Sequence, residues 1–230
     1  MPFQKSKESF HIVDMQDFKN LKLLITAGPT VEDIDPVRFL SNRSSGKMGV
    51  ALAEMASRRG AQVTLIIGPV TIGIPAHLKR INIRSAADMY EAVINEFYHC
   101  DIFIASAAVA DYTPAKKSDQ KIKKSDADLN LTLVRTKDIL NEIKNRKRAH
   151  QKIIGFSVET ENLLENSKNK LLHKNLDMIV ANNPRIEGAA FEADTNQVEI
   201  ITKKGHRSLP LASKNEIADK ILDNILLLEK

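Results

Sequence analysis

Four groups of residues in this chain of 230 have types and spacings suited to handling anions. The first is Ser44-Ser45-Gly46, small polar residues feeding a helix-periodic stretch. There, several backbone N–H groups can converge on a phosphate, although the same residues also read as an ordinary capped helix start. The second is Ala107-Ala108-Val109-Ala110-Asp111. Its small side chains let a flat ligand approach the backbone. Asp111 suits Mg²⁺ carried on a triphosphate, although a helix or turn cap is the commoner use of such a residue. The third is Lys121-Ile-Lys-Lys124, in an alternating segment that places Lys121 and Lys123 on one face. It reads as a basic flap over phosphates, or as an edge strand guarded by lysines. The fourth is Lys170 with Lys174, four apart on one helix face, directed at phosphates or at solvent.

Other chemistries lack their residues. The only glycine pair at the helix start is Gly46-x-x-Gly49, so the dinucleotide pattern G-x-G-x-x-G is missing. That opposes a nicotinamide-dependent oxidoreductase. Lys47 is followed by Met48, which breaks the Walker pattern, and no G-x-S-x-G elbow occurs. His11, His77, His99, His150, His173 and His206 show no ligand spacing. Cys100 is the only cysteine, which excludes a disulfide within the chain and a four-thiolate zinc site. It follows His99 at a strand edge, so no catalytic Cys–His pair is expected.

The elements that must position these groups alternate. Apolar runs at Leu21–Ala27, Gln62–Ile67, Asp101–Ser106, Lys152–Ser157 and Asp177–Ala181 are strand length and suit strands buried on both faces. Helical patterns lie between them, over Lys47–Arg59 with Gly60 closing it, Ser85–Tyr98, Thr136–Arg148 and Glu161–His173. Ser85 with Asp88, and Ser213 with Glu216, form capping boxes. Strand alternating with helix predicts an α/β fold: a Rossmann-like, mostly parallel sheet flanked by helices. Two segments depart from the rhythm. Lys121–Val134 reads as an antiparallel β flap, and Gln197–Leu211 as a C-terminal hairpin turning at Lys203-Lys-Gly-His206. Ligands of such sheets bind beyond the carboxyl ends of the strands, where the first two anion-handling groups fall.

Composition narrows the class. Apolar residues make up 43% and charged residues 27%, as in an ordinary globular domain; aromatics are only 5%, which argues against a β-sandwich. Lys plus Arg is 34 against 29 Asp plus Glu, an excess of five. This suits a multi-phosphate site as well as a polynucleotide. The basic run Lys144–Arg148 ends a predicted helix, where the macrodipole favours cations, so no nucleic-acid partner is called for. No run of about 18 apolar residues or secretory leader is seen, so no membrane partner is expected and a cytoplasmic location is.

Six ordered strings then carry a resemblance: ITAGPT (25–30), DPVRFLSNRSSGKMG (35–49), AAVADY (107–112), KIKK (121–124), GFSVET (155–160) and KNLDMIVAN (174–182). Over about residues 20–230 the chain resembles the bacterial phosphopantothenate–cysteine ligases, or phosphopantothenoylcysteine synthetases, commonly the C-terminal half of a bifunctional coenzyme A biosynthesis protein. The resemblance implies a Rossmann-like homodimer that condenses 4′-phosphopantothenate with L-cysteine. The family uses CTP and Mg²⁺ and passes through an acyl-cytidylate, releasing pyrophosphate and then CMP.

Carried over by position, Asn42 is implied to hold the acyl-phosphate and turn over the intermediate, and Lys121 to help form it. Arg38, Asn42, Ala107 and Ala108 are implied to contact the acid. The nucleotide falls to Ser44, Ser45, Gly46, Ala105, Ser106, Ala107, Asp111, Lys121, Lys137, Asp138, Ile139, Leu140, Phe156, Lys170 and Lys174, with Asp111 also the metal ligand. Lys137 stands where the family has proline, and Arg43 where histidine is common. The choice of CTP over ATP comes from the resemblance alone. No flavin is expected on this chain, and the flavin-dependent decarboxylase would be a separate partner or a fused half. Residues 1–20 read as an N-terminal extension or residual linker, and 21–230 as one Rossmann-like ligase domain.

Overall fold

The unbroken apolar runs become strands covered on both faces, as their lack of alternation requires. In the computed structural model, which describes residues 16–124, 128–186 and 193–228, the first run is β1 (Lys22–Ala27). A small antiparallel pair follows, β2 (Val31–Asp33) with β3 (Phe39–Ser41). Next come α1 (Lys47–Arg58), β4 (Gln62–Ile67), β5 (Lys79–Asn82), α2 (Ala86–Phe97) and β6 (Ile102–Ala105). A second small pair is β7 (Tyr112–Pro114) with β8 (Leu133–Arg135). The chain continues through α3 (Ile139–Ile143), β9 (Lys152–Val158), α4 (Leu163–His173), β10 (Met178–Asn182), β11 (Thr195–Thr202), β12 (Gly205–Ser213) and α5 (Lys214–Leu226).

Strands β5, β4, β1, β6, β9 and β10 lie side by side in that order, all parallel. The expected hairpin, β11 with β12, continues the sheet antiparallel beyond β10. From β1 the chain steps outward to β4 and β5, then crosses back to β6 and steps the other way. This reversal leaves a crevice beyond the carboxyl ends of β1 and β6. Successive strand residues face opposite sides. Ile25, Leu65 and Ile104 join the core under α1 and α5, whereas Leu24, Ile66 and Phe103 join the core under α2, α3 and α4. Each such side chain contributes roughly 1.5–3 kcal/mol by its burial. Both capping boxes form, at Ser85 with Asp88 and at Ser213 with Glu216. Gly60, at φ +91, ends the α1 segment.

Three expectations change. The helix expected over Thr136–Arg148 is only the five-residue α3, begun by Asp138, whose side chain accepts from the Asn141 N–H at 2.9 Å. The basic run beyond it is drawn into tertiary contacts. Lys147 pairs with Asp177 at 2.7 Å, and the Arg148 guanidinium lies 4.3 Å from the Tyr98 ring centroid. Residues 121–124 form no strand. The backbone N–H and C=O of Ile122 are bound by the side chains of Asp35 and Arg38, so a ladder cannot use them. The antiparallel pairing forms instead between β7 and β8; residues 125–127 of the expected flap lie outside the described residues. At the N-terminus, residues 1–15 of the expected extension also lie outside them. Phe18 is fully buried and Asp17 pairs with Arg59 at 2.5 Å, so contacts with the body begin ahead of Leu21.

Candidate functional site

The crevice is assembled by glycines distant in sequence. Gly28 follows β1 at φ +74 and turns the chain into the β2–β3 excursion; Gly46 ends that excursion at φ +76 and caps α1. A Cβ on Gly46 would stand 3.3 Å from the Gly28 Cα, and a Cβ on Gly49 only 2.5 Å from the Ala27 Cβ. The first turn of α1 therefore presses on the end of β1, as in a tight dinucleotide turn, although residues 29–45 are looped out between. The serines do not take the N-cap position, although Ser45 Oγ accepts from the Lys47 N–H at 3.5 Å. Gly46 holds that position, and the first turn carries no acidic residue, so α1 presents its positive end to the crevice.

After β6 the chain lies against the segment that leaves β1. The Ala108 N–H donates to the Gly28 carbonyl at 2.9 Å, and the Thr30 N–H donates to the Ala108 carbonyl at 3.2 Å. Thr26 Oγ1 accepts from the Ala107 N–H at 3.2 Å and Thr30 Oγ1 from the Ala110 N–H at 2.9 Å. Two threonines thus hold the small-residue strand end open and flat. Asn42, returning from the excursion, donates from Nδ2 to the Ala108 carbonyl at 3.0 Å.

Two adjoining hollows result. One of about 500 Å³ is lined by Ala105, Ala107, Asp111, Lys137, Asp138, Ile139, Leu140, Phe156, Lys170 and Lys174. A second of about 120 Å³, at the start of α1, is lined by Ser44, Ser45, Gly46, Ser106, Ala107 and Ala108; Phe156 borders both. Lys121 is not among their lining residues. With Arg38 it lines a third hollow of about 660 Å³. Asn42 lines none of the three, but its bond to Ala108 sets it at the edge of the second.

The charges are arranged in compensated pairs. Lys170 Nζ donates to the Phe156 carbonyl at 2.7 Å. Burial pushes its ammonium below the usual lysine range, while Glu159, Asp111 and Asp138 pull the other way. Lys174 pairs with Asp138 at 2.5 Å. Burial alone would raise Asp138, but Lys174 and the Asn141 N–H hold it below the usual carboxylate range. Lys137 lies 4.4 Å from the Tyr90 ring centroid and 3.3 Å from Glu91. Among the described residues no cluster of three metal-binding side chains exists. A metal here would have Asp111 and the oxygens its ligand brings, a donor set that fits Mg²⁺ rather than zinc.

Some lining residues were not anticipated. Tyr112, Arg135 and Thr136 reach the larger hollow because β7 and β8 pair beside it. Lys47, Asn182, Asn196 and Lys214 border the smaller one. Asn182 ends β10 and was accessible to the strand-end rule; Lys214 was hidden inside a capping box. Burial, and then Lys47, push the Lys214 ammonium down. Cys100 is far from this chemistry, at the amino edge of the sheet, where it donates to the Phe97 carbonyl at 3.3 Å. Burial pushes its thiol up to about 12, so it is held as an inert thiol.

A parallel sheet that reverses its order at a glycine-lined, lysine-bordered crevice defines a Rossmann-like α/β protein with its candidate ligand site at the reversal. The chain spans about half the length of the curated relatives it matches. It belongs to the family described as the DNA/pantothenate metabolism flavoprotein C-terminal domain, whose model matches residues 18–228. The coenzyme A biosynthesis bifunctional protein CoaBC of Bacillus subtilis is 50% identical over 210 residues, covering 90% of this chain and 52% of that protein. CoaBC of Escherichia coli K12 is 40% identical over 219 residues, covering 94% and 54%. The crystal structure of a CoaBC C-terminal domain superposes with a TM-score of 0.78 at 41% identity, covering 92% of this chain and 97% of that one.

Proposed function

We propose that this chain is a phosphopantothenate–cysteine ligase that joins 4′-phosphopantothenate to L-cysteine at the expense of CTP. The observation that carries the reading is the pair of adjoining hollows at the sheet reversal, in a chain that shares half its residues with a CoaBC protein over 210 positions. A carboxylate resists attack by an amine because its carbonyl carbon is electron-rich and oxide is a poor leaving group. In the first half-reaction a carboxylate oxygen attacks the α-phosphorus of CTP and pyrophosphate departs, leaving an acyl-cytidylate. In the second, the cysteine amine attacks the acyl carbon, CMP departs, and the amine gives up a proton. Neither half needs a protein nucleophile. Both need phosphate charge neutralised and the reacting groups aligned.

The residues divide that work. Lys170, Lys174 and the positive end of α1 receive the phosphates, with Ser44, Ser45 and Gly46 supplying donors. Mg²⁺, when bound, supplies further neutralisation, held by Asp111. Small residues Ala105–Ala108 and the segment Lys137–Leu140 admit the nucleoside. Asn42 can donate and accept at once, so its amide can span the acyl and phosphoryl oxygens of the intermediate. Arg38 binds the acid and Lys121 assists formation of the intermediate.

A homodimer, a single ligase domain whose packed body takes in Asp17 and Phe18 ahead of Leu21, a decarboxylase as partner or fused half, and a cytoplasmic location belong to the same reading. Support for self-association is the exposed apolar set Phe39, Leu133 and Val134 on the two small ladders, with Val37 in the turn between β2 and β3, where β2 packs beside β7. The test mixes the protein with CTP, Mg²⁺, phosphopantothenate and cysteine. Pyrophosphate release with CMP release dependent on cysteine supports the reading; no cysteine-dependent CMP overturns it. Replacing CTP by ATP in the same assay tests the nucleotide.

A further inference from the structure

Arg38 and Lys121 are 83 positions apart in the chain, yet they line one hollow. What joins them is Asp35, a carboxylate only 1% exposed. Its two oxygens have separate duties. Oδ1 accepts from the N–H groups of Val37 and Arg38, both at 2.8 Å, and so builds the local turn. Oδ2 accepts from Arg38 Nε at 3.0 Å, from Arg38 Nη2 at 2.7 Å and from the Ile122 N–H at 3.1 Å. Arg38 Nη2 closes the circuit by donating to the Ile122 carbonyl at 2.5 Å. A further strut, the Ser118 N–H donating to the Ile34 carbonyl at 2.9 Å, ties the same two segments. A buried carboxylate with this many charge-assisted bonds is anchored, and both backbone groups of Ile122 are committed to it or to its arginine.

We infer that Asp35 is a positioning residue: through Oδ2 it locks the Arg38 guanidinium and the Lys121–Lys124 segment into one rigid unit beside the crevice. Its consequence for catalysis rests on the ligase reading given above. The acid held by Arg38 and the lysine that acts on it are then aligned before substrate arrives. Without the link Lys121 sits on an irregular segment with no ladder to support it, and a displacement of about 1 Å costs on the order of 100-fold in rate.

Asp35→Asn separates the two duties. Its one remaining oxygen keeps the turn through the Val37 and Arg38 N–H groups. The new amide N–H groups then face Arg38 and the Ile122 N–H, donor against donor. The first readout is independent of activity. Trypsin cleavage after Lys121, Lys123 and Lys124 in the folded protein is expected to accelerate at least tenfold in the variant, well beyond any acceleration at other sites, with CTP binding by calorimetry little changed. The second is kinetic: a fall of about 100-fold in kcat for pyrophosphate release, together with a raised KM for phosphopantothenate and an unchanged KM for CTP. Asp35→Glu retains the charge but, one methylene longer, cannot keep both oxygens in these positions, and is expected to behave as Asp35→Asn. Unchanged cleavage and kinetics overturn the inference, as does a global loss of stability with no selective cleavage. If cleavage accelerates but the wild-type protein makes no pyrophosphate, the clamp stands and the ligase reading falls.

Discussion

Gly49→Ala tests how the crevice is built. Its Cβ would fall 2.5 Å from the Ala27 Cβ, 3.1 Å from the Ala27 Cα and 3.1 Å from Ser106 Oγ. Two of these atoms belong to the fully buried Ala27 on β1, which has no rotamer to give. α1 must therefore retreat from the strand. Overpacking of this kind costs about 1–3 kcal/mol. For a domain of this length each kcal/mol lowers the melting temperature by about 2–4 °C, so a fall of roughly 2–12 °C is expected. Retreat of α1 also moves the Gly46 cap and the amide groups behind it, so CTP affinity should fall more than stability does. Ala27→Gly removes the atom met at 2.5 Å at a cost of its own of about 0.5–1 kcal/mol. Combined with Gly49→Ala, it should restore part of both losses. Thermal unfolding followed by circular dichroism and CTP binding followed by calorimetry give the four corners of the cycle. Strict additivity, or a Gly49→Ala protein as stable and as tight as wild type, refutes the close-packing argument.

Further outcomes concern the charges and the intermediate. Asn42→Asp is expected to release one equivalent of pyrophosphate and accumulate acyl-cytidylate without passing it to cysteine; quench-flow with CMP detection checks this, and normal turnover contradicts it. Lys170 is pushed down by burial, so it loses its proton at lower pH than an ordinary lysine. The KM for CTP should therefore rise on the alkaline side, and Lys170→Arg should flatten that rise in a pH series. Asp33 is pulled down to about 2, first by Arg84 and then by Lys117, from the usual 3.8. A depressed carboxylate stabilises the fold above its unfolded value, and that stabilisation is lost as pH falls from about 4 towards 2. Asp33→Asn should therefore flatten stability against pH across that window in acid unfolding curves.

Several site residues were legible because one rule reached them. Each apolar run is a parallel strand, and the residues just after a parallel strand face the ligand. Ala107, Ala108 and Asp111 follow one such run and line the hollows, and Asn182, which was not singled out, follows another. Lys170 and Lys174 were legible as a helix-face pair, and the structure turns that face to the larger hollow. The expected flap over residues 121–134 was misread because alternation suits a strand only when its backbone groups are free to pair. Here Asp35 and Arg38 take those of Ile122. The helix from Thr136 was overextended because Lys147 and Arg148 bond to partners 30 and 50 positions away. Lys214 was missed because a capping box describes a helix start equally well whether it is solvated or faces a hollow.

Local sequence determined the parallel sheet, both capping boxes, the closing hairpin and the absence of a reactive thiol motif, since apolar runs, caps and turns depend on neighbours within a few residues. The missing glycine fingerprint was also a correct observation. Only the tertiary structure showed that Gly28, Gly46 and Gly49 meet at the end of β1 despite the intervening excursion. The joining of Arg38 to the Lys121 segment was likewise decided in three dimensions. Both depend on contacts between segments far apart in the chain, whose geometry is set by packing over the whole sheet and not by any short stretch of residues.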